Sequence, residues 1–224
     1  MAIVLLAALP LYVAYSGLHP ARCRPGQPPG WTSHEDFNVS TRDGVVLRGW
    51  VLNPQGPGDT VFILMHGYTG CRSSHYVMLL ARQLVSMGYP VVVFDFRGHG
   101  LSGGTTTIGP REVLDAEAVV GYTASRFPHK RIALVGFSMG AAVAVVEGSR
   151  DPRVYAVVAD SPYYSLRLVV PRWIEYKTPL PGWIGSLAAA YASALYGIDA
   201  GFGPAEVRKL DKPLLVIHGG RDPW

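Results

Sequence analysis

The chain has little cysteine and little charge, and both shortages exclude classes of protein. Its two cysteines, Cys23 and Cys71, provide neither a disulfide framework nor the clustered spacing of a metal site. Charged residues make up 16% of the 224 residues, and the net charge of +4 comes from scattered cations rather than a basic run. Nucleic-acid binding therefore has no support, and no motif implies a metal or an organic cofactor.

Short apolar runs are what the sequence has in quantity, since 49% of its residues are hydrophobic. Runs rich in Val, Ile and Leu alternate with amphipathic segments, and a hairpin pattern at residues 37–52 precedes them. The runs lie at residues 60–65, 91–94, 131–135, 154–159 and 214–217. This alternation predicts an α/β domain with a mostly parallel central sheet and helices on both faces.

The N-terminus differs from the rest of the chain. Residues 2–18 are uncharged and mostly apolar. A stretch of this length is at the lower limit for a helix that spans a bilayer. Arg22 and Arg24 follow this stretch, which favours a main domain on the cytoplasmic side. We expect residues 1–18 to be a single membrane span and 19–35 a linker; a buried N-terminal helix is the alternative.

Ser138 lies in Gly136-Phe137-Ser138-Met139-Gly140, between an apolar run and a run of small residues. This pattern predicts a strand, a sharp turn and a helix with the serine at the apex, the arrangement called a nucleophile elbow. The two glycines are expected where close approach of the backbone leaves no room for a Cβ. An ordinary strand-to-helix turn that happens to contain a serine is the alternative.

Other polar residues also follow predicted strands directly. These residues are His66, Asp95, Asp160 and Asp222. Because ligands bind outside the carboxyl ends of parallel strands, we expect these side chains and Ser138 to converge on one edge of the sheet.

Five sequence blocks carry a resemblance to a known family. They are residues 66–70 (HGYTG), 95–100 (DFRGHG), 136–140 (GFSMG), 160–162 (DSP) and 214–222 (LLVIHGGRD). With these blocks, residues 36–224 resemble the α/β-hydrolase family, and are most similar to small membrane-anchored bacterial hydrolases of the Bem46-like and dienelactone-hydrolase-like groups. The resemblance implies a serine hydrolase that cleaves an ester, thioester or amide through an acyl-enzyme, without a cofactor.

The resemblance also implies residue roles. Ser138 is the nucleophile, and the backbone N–H groups of Tyr68 and Met139 form the oxyanion hole. Asp222 is the acid of the triad, with Asp160 as its rival. The histidines at positions 66, 99 and 218 are expected to shape loops, as is Asp95, for which Arg97 is a candidate ion partner.

No residue of the sequence matches the family's catalytic histidine. The order in this fold is serine, acid, histidine, and only Pro223 and Trp224 follow Asp222. We expect the histidine, with the family's last strand and helix, to lie beyond Trp224, and this chain to have at most residual activity. The alternatives are a degenerate or non-catalytic binding protein and the recruitment of His75 or His99 as the base.

Residues 163–206 are rich in aromatic side chains and are expected to form a lid-like insertion or a wall of an acyl pocket; helices that simply pack on the sheet are the alternative. A lipophilic acyl substrate drawn from a bilayer fits both this segment and the expected anchor. An acyltransferase or a perhydrolase with the same triad is a further possibility.

Overall fold

The computed structural model describes residues 2–207 and 210–220 and arranges them around a seven-stranded sheet. The strands are β1 (His34–Ser40), β2 (Val46–Leu52), β3 (Thr60–Met65), β4 (Val91–Phe94), β5 (Arg131–Phe137), β6 (Val154–Asp160) and β7 (Leu214–Ile217). Their order is β1-β2-β4-β3-β5-β6-β7. The β1–β2 and β2–β4 pairs are antiparallel and the other pairs are parallel. The prediction of a mostly parallel α/β-hydrolase sheet is confirmed.

The helices cover both faces of this sheet. They are α1 (Ala2–Leu18), α2 (His75–Ser86), α3 (Glu112–Arg126), α4 (Met139–Arg150), α5 (Leu166–Lys177) and α6 (Gly182–Tyr196), followed by a 3₁₀ turn at Pro204–Glu206. Side chains alternate between faces along a strand, so Ile63 of β3 joins one apolar cluster and Leu64 the other. The smaller cluster packs Val77 and Ala81 of α2 on the sheet, while α3 and α4 contribute to the larger one.

The N-terminal segment folds as α1, which packs along α6. Its residues Ala14 and Leu18 are buried in the larger apolar cluster. Among the residues that the structure describes, no helix is both long and apolar enough to cross a membrane. The predicted membrane span at residues 1–18, and the membrane location with a cytoplasmic-facing domain that depended on it, are therefore wrong. The apolar side chains that suggested a span include those that α1 buries against the domain.

The two cysteines form a disulfide, Cys23–Cys71, across 48 positions of sequence. Two cysteines offered no disulfide framework in the sequence, and this single bridge was not predicted. No local spacing could reveal the pair, because folding brings the segment after α1 to the loop after β3.

Helices α5 and α6 pack against each other, and α6 also packs against α1. Together they form a three-helix layer beyond the carboxyl ends of the strands, and α5 and α6 of this layer lie within residues 163–206, the segment predicted as a lid-like insertion. The strand β7 is at one edge of the described sheet, where it pairs with β6. The side chains of its four residues are exposed.

Candidate active site

Ser138 lies at a strained turn between β5 and α4. Its φ of +51° and ψ of −112° fall in a region that L-residues rarely adopt. Its N–H donates to the carbonyl oxygen of Asp160 at 2.8 Å, which ties the turn to the end of β6. Strain held in place by the surroundings is typical of functional sites, and the side chain is exposed.

The two glycines of the elbow are required by contact. A Cβ on Gly136 would overlap the carbonyl oxygen of Gly140, and a Cβ on Gly140 would overlap the carbonyl oxygen of Met65. The first turn of α4 therefore rests directly on β5 and on the end of β3. An ordinary turn with a serine by chance would need neither close approach.

The loop after β3 lies against the elbow. β3 and β5 are parallel, with Met65 opposite Gly136, so both chains leave the sheet at the same level. A Cβ on Gly67 would lie 3.4 Å from the Cβ of Ser138. The sequence prediction that residues 66–70 and Ser138 converge is therefore confirmed for this pair of loops.

Side chains from neighbouring elements hold this loop by its backbone. The N–H of Gly67 donates to the hydroxyl of Tyr76 at 3.0 Å, and the N–H of Thr69 donates to Nε2 of His99 at 3.2 Å. Between them, the N–H of Tyr68 has no acceptor among the described residues. Met139 begins α4, and the first N–H groups of a helix have no partner within it. Two uncommitted N–H donors thus flank the Ser138 region.

His66 and His99 are neutral rings in fixed tautomers. His66 accepts the N–H of Phe96 at Nε2, so Nδ1 donates to the carbonyl of Gly67 at 2.7 Å. His99 uses Nε2 for Thr69, and its Nδ1 donates to the carbonyl of Arg97 at 2.9 Å. Burial lowers the pKa of His66 to about 3 and also lowers the pKa of His99. Because both nitrogens of each ring are engaged, these histidines shape loops.

Asp95 is buried and organises two loops. Its carboxylate accepts the N–H of Arg72 at 2.8 Å and that of Leu101 at 2.9 Å. Its ion partner is the guanidinium of Arg72, at 3.4 Å, and not Arg97. The Arg72 guanidinium lies over the Trp50 ring, 4.4 Å from its centroid.

Arg97 instead bridges Asp43 and Asp115. It contacts Asp43 at 2.7 Å and the buried Asp115 at 2.8 Å. Hydrogen bonds from Arg97 lower the pKa of Asp43 to about 2. This network joins the β1–β2 turn to α3.

Of the two candidate acids, the structure describes Asp160 and not Asp222. Asp160 ends β6, and its carboxylate accepts the Ser161 hydroxyl at 2.9 Å. It lies beside the elbow because its carbonyl oxygen receives the Ser138 N–H. Asp222 lies outside the described residues. Nε2 of His218, near the end of β7, lies 3.4 Å from the carbonyl oxygen of Pro162.

Ser138 and Met139 line a cavity of about 460 Å³ whose walls are mostly apolar. Tyr68 also lines it. The layer of α1, α5 and α6 supplies much of the remaining wall, including Val13, Trp173 and Ala188. A cavity of this size and character suits a small, largely apolar ligand.

Sequence reasoning missed two features of this site. The hydroxyl of Tyr76 on α2 supports the loop at Gly67. The hydroxyl of Tyr68 donates to the carbonyl oxygen of Gly17 in α1 at 2.7 Å. Burial raises the pKa of Tyr68 to about 12, which keeps this donor protonated. A backbone acceptor from a distant helix leaves no sequence signal.

Comparison with known proteins agrees with this geometry. Residues 56–195 match the family described as serine aminopeptidase, S33. The uncharacterized protein YfhR of Escherichia coli O157:H7 is 31% identical over 209 residues, which is 88% of this chain and 66% of that protein. Lysophosphatidylserine lipase ABHD12 of Macaca fascicularis is 27% identical over 188 residues, 78% of this chain and 44% of that protein.

A solved structure gives the same result for the fold. An esterase from Pyrococcus furiosus is 32% identical with a TM-score of 0.72, covering 89% of this chain and 75% of the esterase. The chain spans 61–66% of the length of the bacterial relatives it matches. On its sheet order, its strained elbow and these matches, the chain is an α/β-hydrolase that belongs to the serine aminopeptidase S33 family.

Proposed function

We propose that the protein is a serine esterase that cleaves esters of lipophilic carboxylic acids through an acyl-enzyme. The observation that carries this proposal is the position of Ser138, on a strained elbow at the wall of a mostly apolar cavity. An acyl chain fits such a cavity because its burial is favourable by about 0.8 kcal/mol per methylene. The names of two similar proteins, an esterase and a lysophospholipid lipase, agree with this class.

The first half of the reaction forms the acyl-enzyme. The Oγ of Ser138 attacks the ester carbonyl carbon while a general base takes the hydroxyl proton, and the carbonyl electron pair moves onto oxygen. The N–H groups of Tyr68 and Met139 receive this oxyanion. Loss of one such donor typically costs about 10²–10³ in rate. The tetrahedral intermediate then collapses, the C–O bond to the alcohol breaks, and the protonated base returns its proton to the leaving oxygen.

The second half releases the acid. Water attacks the acyl-enzyme carbonyl carbon, gives its proton to the same base, and the bond to Ser138 breaks as its oxygen is reprotonated. The base in this fold is a histidine that the triad acid orients; Asp222 is that acid, and Asp160 is the alternative. His66 and His99 are unsuited to this role because the backbone engages both nitrogens of each ring.

An aminopeptidase, which the family description suggests, fits the cavity less well. Recognition of a free α-amino group calls for an anionic or carbonyl acceptor near the nucleophile. The described residues that line the cavity include no aspartate or glutamate. A neutral acyl group is therefore the better match.

The test uses the protein expressed from its complete reading frame and p-nitrophenyl esters from acetate to dodecanoate. We expect measurable hydrolysis that Ser138→Ala lowers by about 10³-fold or more, as for loss of a triad nucleophile. Ser125→Ala on α3 is the matched control, because its hydroxyl only bonds the helix carbonyl of Gly121. Equal rates for Ser138→Ala and the control would contradict the role of Ser138, and absent hydrolysis in the wild type would favour a non-catalytic binding protein. Transfer of the acyl group to an added alcohol or to peroxide in preference to water would identify an acyltransferase or a perhydrolase instead.

A further inference from the structure

Helix α1 takes part in the cavity beside the nucleophile. Leu9, Val13 and Gly17 lie along it at spacings of four residues, and all three line the cavity that Ser138 lines. Residues four apart share one face of a helix. The face that these residues form is therefore a wall of the cavity, while Ala14 and Leu18 anchor the helix in the apolar core.

Three contacts fasten α1 and the segment after it to the loops of the active site. The hydroxyl of Tyr68 donates to the carbonyl oxygen of Gly17 at 2.7 Å. The guanidinium of Arg22 donates to the carbonyl oxygens of Ser102 at 2.6 Å and Gly104 at 3.0 Å. The Cys23–Cys71 disulfide completes the attachment. The Tyr68 bond and the disulfide both reach the loop after β3, whose backbone holds one of the proposed oxyanion donors.

The wall has a gap at Gly17. A Cβ added to this residue would meet no atom within 4 Å, although the residue lines the cavity. Other lining positions of α1 carry side chains that already occupy space. The open volume beside Gly17 is therefore space that a ligand can enter and that a larger side chain would remove.

We propose that α1 is the chain-length selector of the acyl cavity and that the missing side chain at Gly17 provides room for the distal methylenes of a medium-length or long acyl chain. The inference rests on the proposed esterase function for its substrate class. It assigns the apolar N-terminal segment a role in substrate selection.

The main test replaces Gly17 with leucine in the protein expressed from its complete reading frame. The variant keeps the backbone carbonyl that Tyr68 contacts, and leucine is a better helix former than glycine. We expect the ratio of kcat/KM for p-nitrophenyl decanoate to that for p-nitrophenyl acetate to fall about ten-fold or more, because a leucine side chain displaces several methylenes. Gly30→Leu is the matched control: Gly30 also has open space around it, but it does not line the cavity, and its ratio should equal that of the wild type.

A second pair of variants keeps the inference testable if Gly17→Leu disturbs folding. Leu9 lines the cavity and its neighbour Leu11 does not, while both are partly exposed on α1 to a similar extent, at 37% and 42%. Leu9→Ala should lower the ratio of kcat/KM for p-nitrophenyl decanoate to that for p-nitrophenyl acetate about three- to ten-fold. Leu11→Ala should leave that ratio unchanged.

Binding of decanoate, followed by tryptophan fluorescence or by thermal shift, separates failure of the inference from failure of the esterase proposal. Hydrolysis with an unaltered chain-length ratio in both Gly17→Leu and Leu9→Ala would overturn the role of α1 and leave the esterase function standing. If hydrolysis is absent and Gly17→Leu binds decanoate at least ten-fold more weakly than Gly30→Leu does, the result would support α1 as a wall of the acyl cavity and contradict the esterase function. Absent hydrolysis with equal binding would contradict both.

Discussion

The hydroxyl of Tyr76 accepts the backbone N–H of Gly67 at 3.0 Å, so a side chain of α2 supports the loop that faces Ser138. The Tyr76 ring is held by an edge contact with Phe137, at 4.9 Å between ring centroids. Without this acceptor the Gly67 amide would lose its fixed direction, and so would the adjoining N–H of Tyr68. Tyr76 is therefore a positioning residue rather than one that touches substrate.

Tyr76→Phe is expected to lower kcat for ester hydrolysis about three- to thirty-fold while changing KM little, because the support matters most when the oxyanion forms. Steady-state kinetics on p-nitrophenyl butyrate measures the split. Tyr155→Phe is the control, since this tyrosine is exposed on β6. An effect of Tyr76→Phe on KM alone would contradict a role in transition-state positioning.

Gly136→Ala is expected to destabilise the fold by about 3 kcal/mol or more, since its Cβ would overlap the backbone carbonyl of Gly140 and neither chain can withdraw. Urea unfolding followed by circular dichroism gives the free energy of unfolding. Gly30→Ala, at a position with open space, should change it by less than about 0.5 kcal/mol. Similar values for the two variants would show that the elbow is looser than the structure describes.

Arg97→Ala is expected to cost about 3–5 kcal/mol of unfolding free energy, because it leaves the carboxylate of Asp115 buried without its partner. Arg42→Ala is a matched comparison on the surface. Its ion pair with Glu117 is 3.6 Å long and largely exposed, and such pairs contribute about 0–1 kcal/mol. Equal losses in the two variants, measured by urea unfolding, would contradict the structural role given to Arg97.

Glu147→Gln is expected to flatten the dependence of stability on pH. Glu147 is buried on α4, and burial, helped by the nearby Asp151, raises its pKa to about 8. The unfolded chain has a glutamate pKa of about 4.3. Between these values the folded state holds a proton that the unfolded state has lost, so stability falls as pH rises from about 5 to 8.

Glutamine cannot ionise, so this loss is absent in the variant. Thermal unfolding between pH 5 and pH 9 should show a melting temperature for Glu147→Gln that exceeds that of the wild type by about 3 °C or more at pH 9, with a smaller difference at pH 5. Parallel profiles across the range would mean that Glu147 is ionised in the folded protein.

Much of the sheet could be predicted from the sequence because its strands are short apolar runs bounded by turn residues. The predicted runs at 60–65, 91–94 and 214–217 coincide with β3, β4 and β7. The meeting of the HGYTG loop with the elbow also followed, since parallel strands bring their carboxyl ends to one edge. These features depend on local pattern and on chain direction.

Features that depend on a distant partner could not be predicted. The 17 mostly apolar residues of α1 are at the lower length limit for a membrane span, and the packing of this helix along α6 has no local signal in the sequence. The Cys23–Cys71 pair and the bond from Tyr68 to Gly17 join residues that are 48 and 51 positions apart. The bond from Gly67 to the hydroxyl of Tyr76 likewise joins two elements, the loop after β3 and α2.

Covalent labelling shows whether Ser138 is an activated nucleophile. The protein, expressed from its complete reading frame, is treated with an alkyl fluorophosphonate, and the labelled peptide is mapped by mass spectrometry. We expect one covalent adduct, on Ser138, formed faster by a decyl than by an ethyl reagent and absent in Ser138→Ala. A protein that stays unlabelled, or carries its adduct on another residue, would contradict the claim that Ser138 is an activated nucleophile beside an acyl cavity.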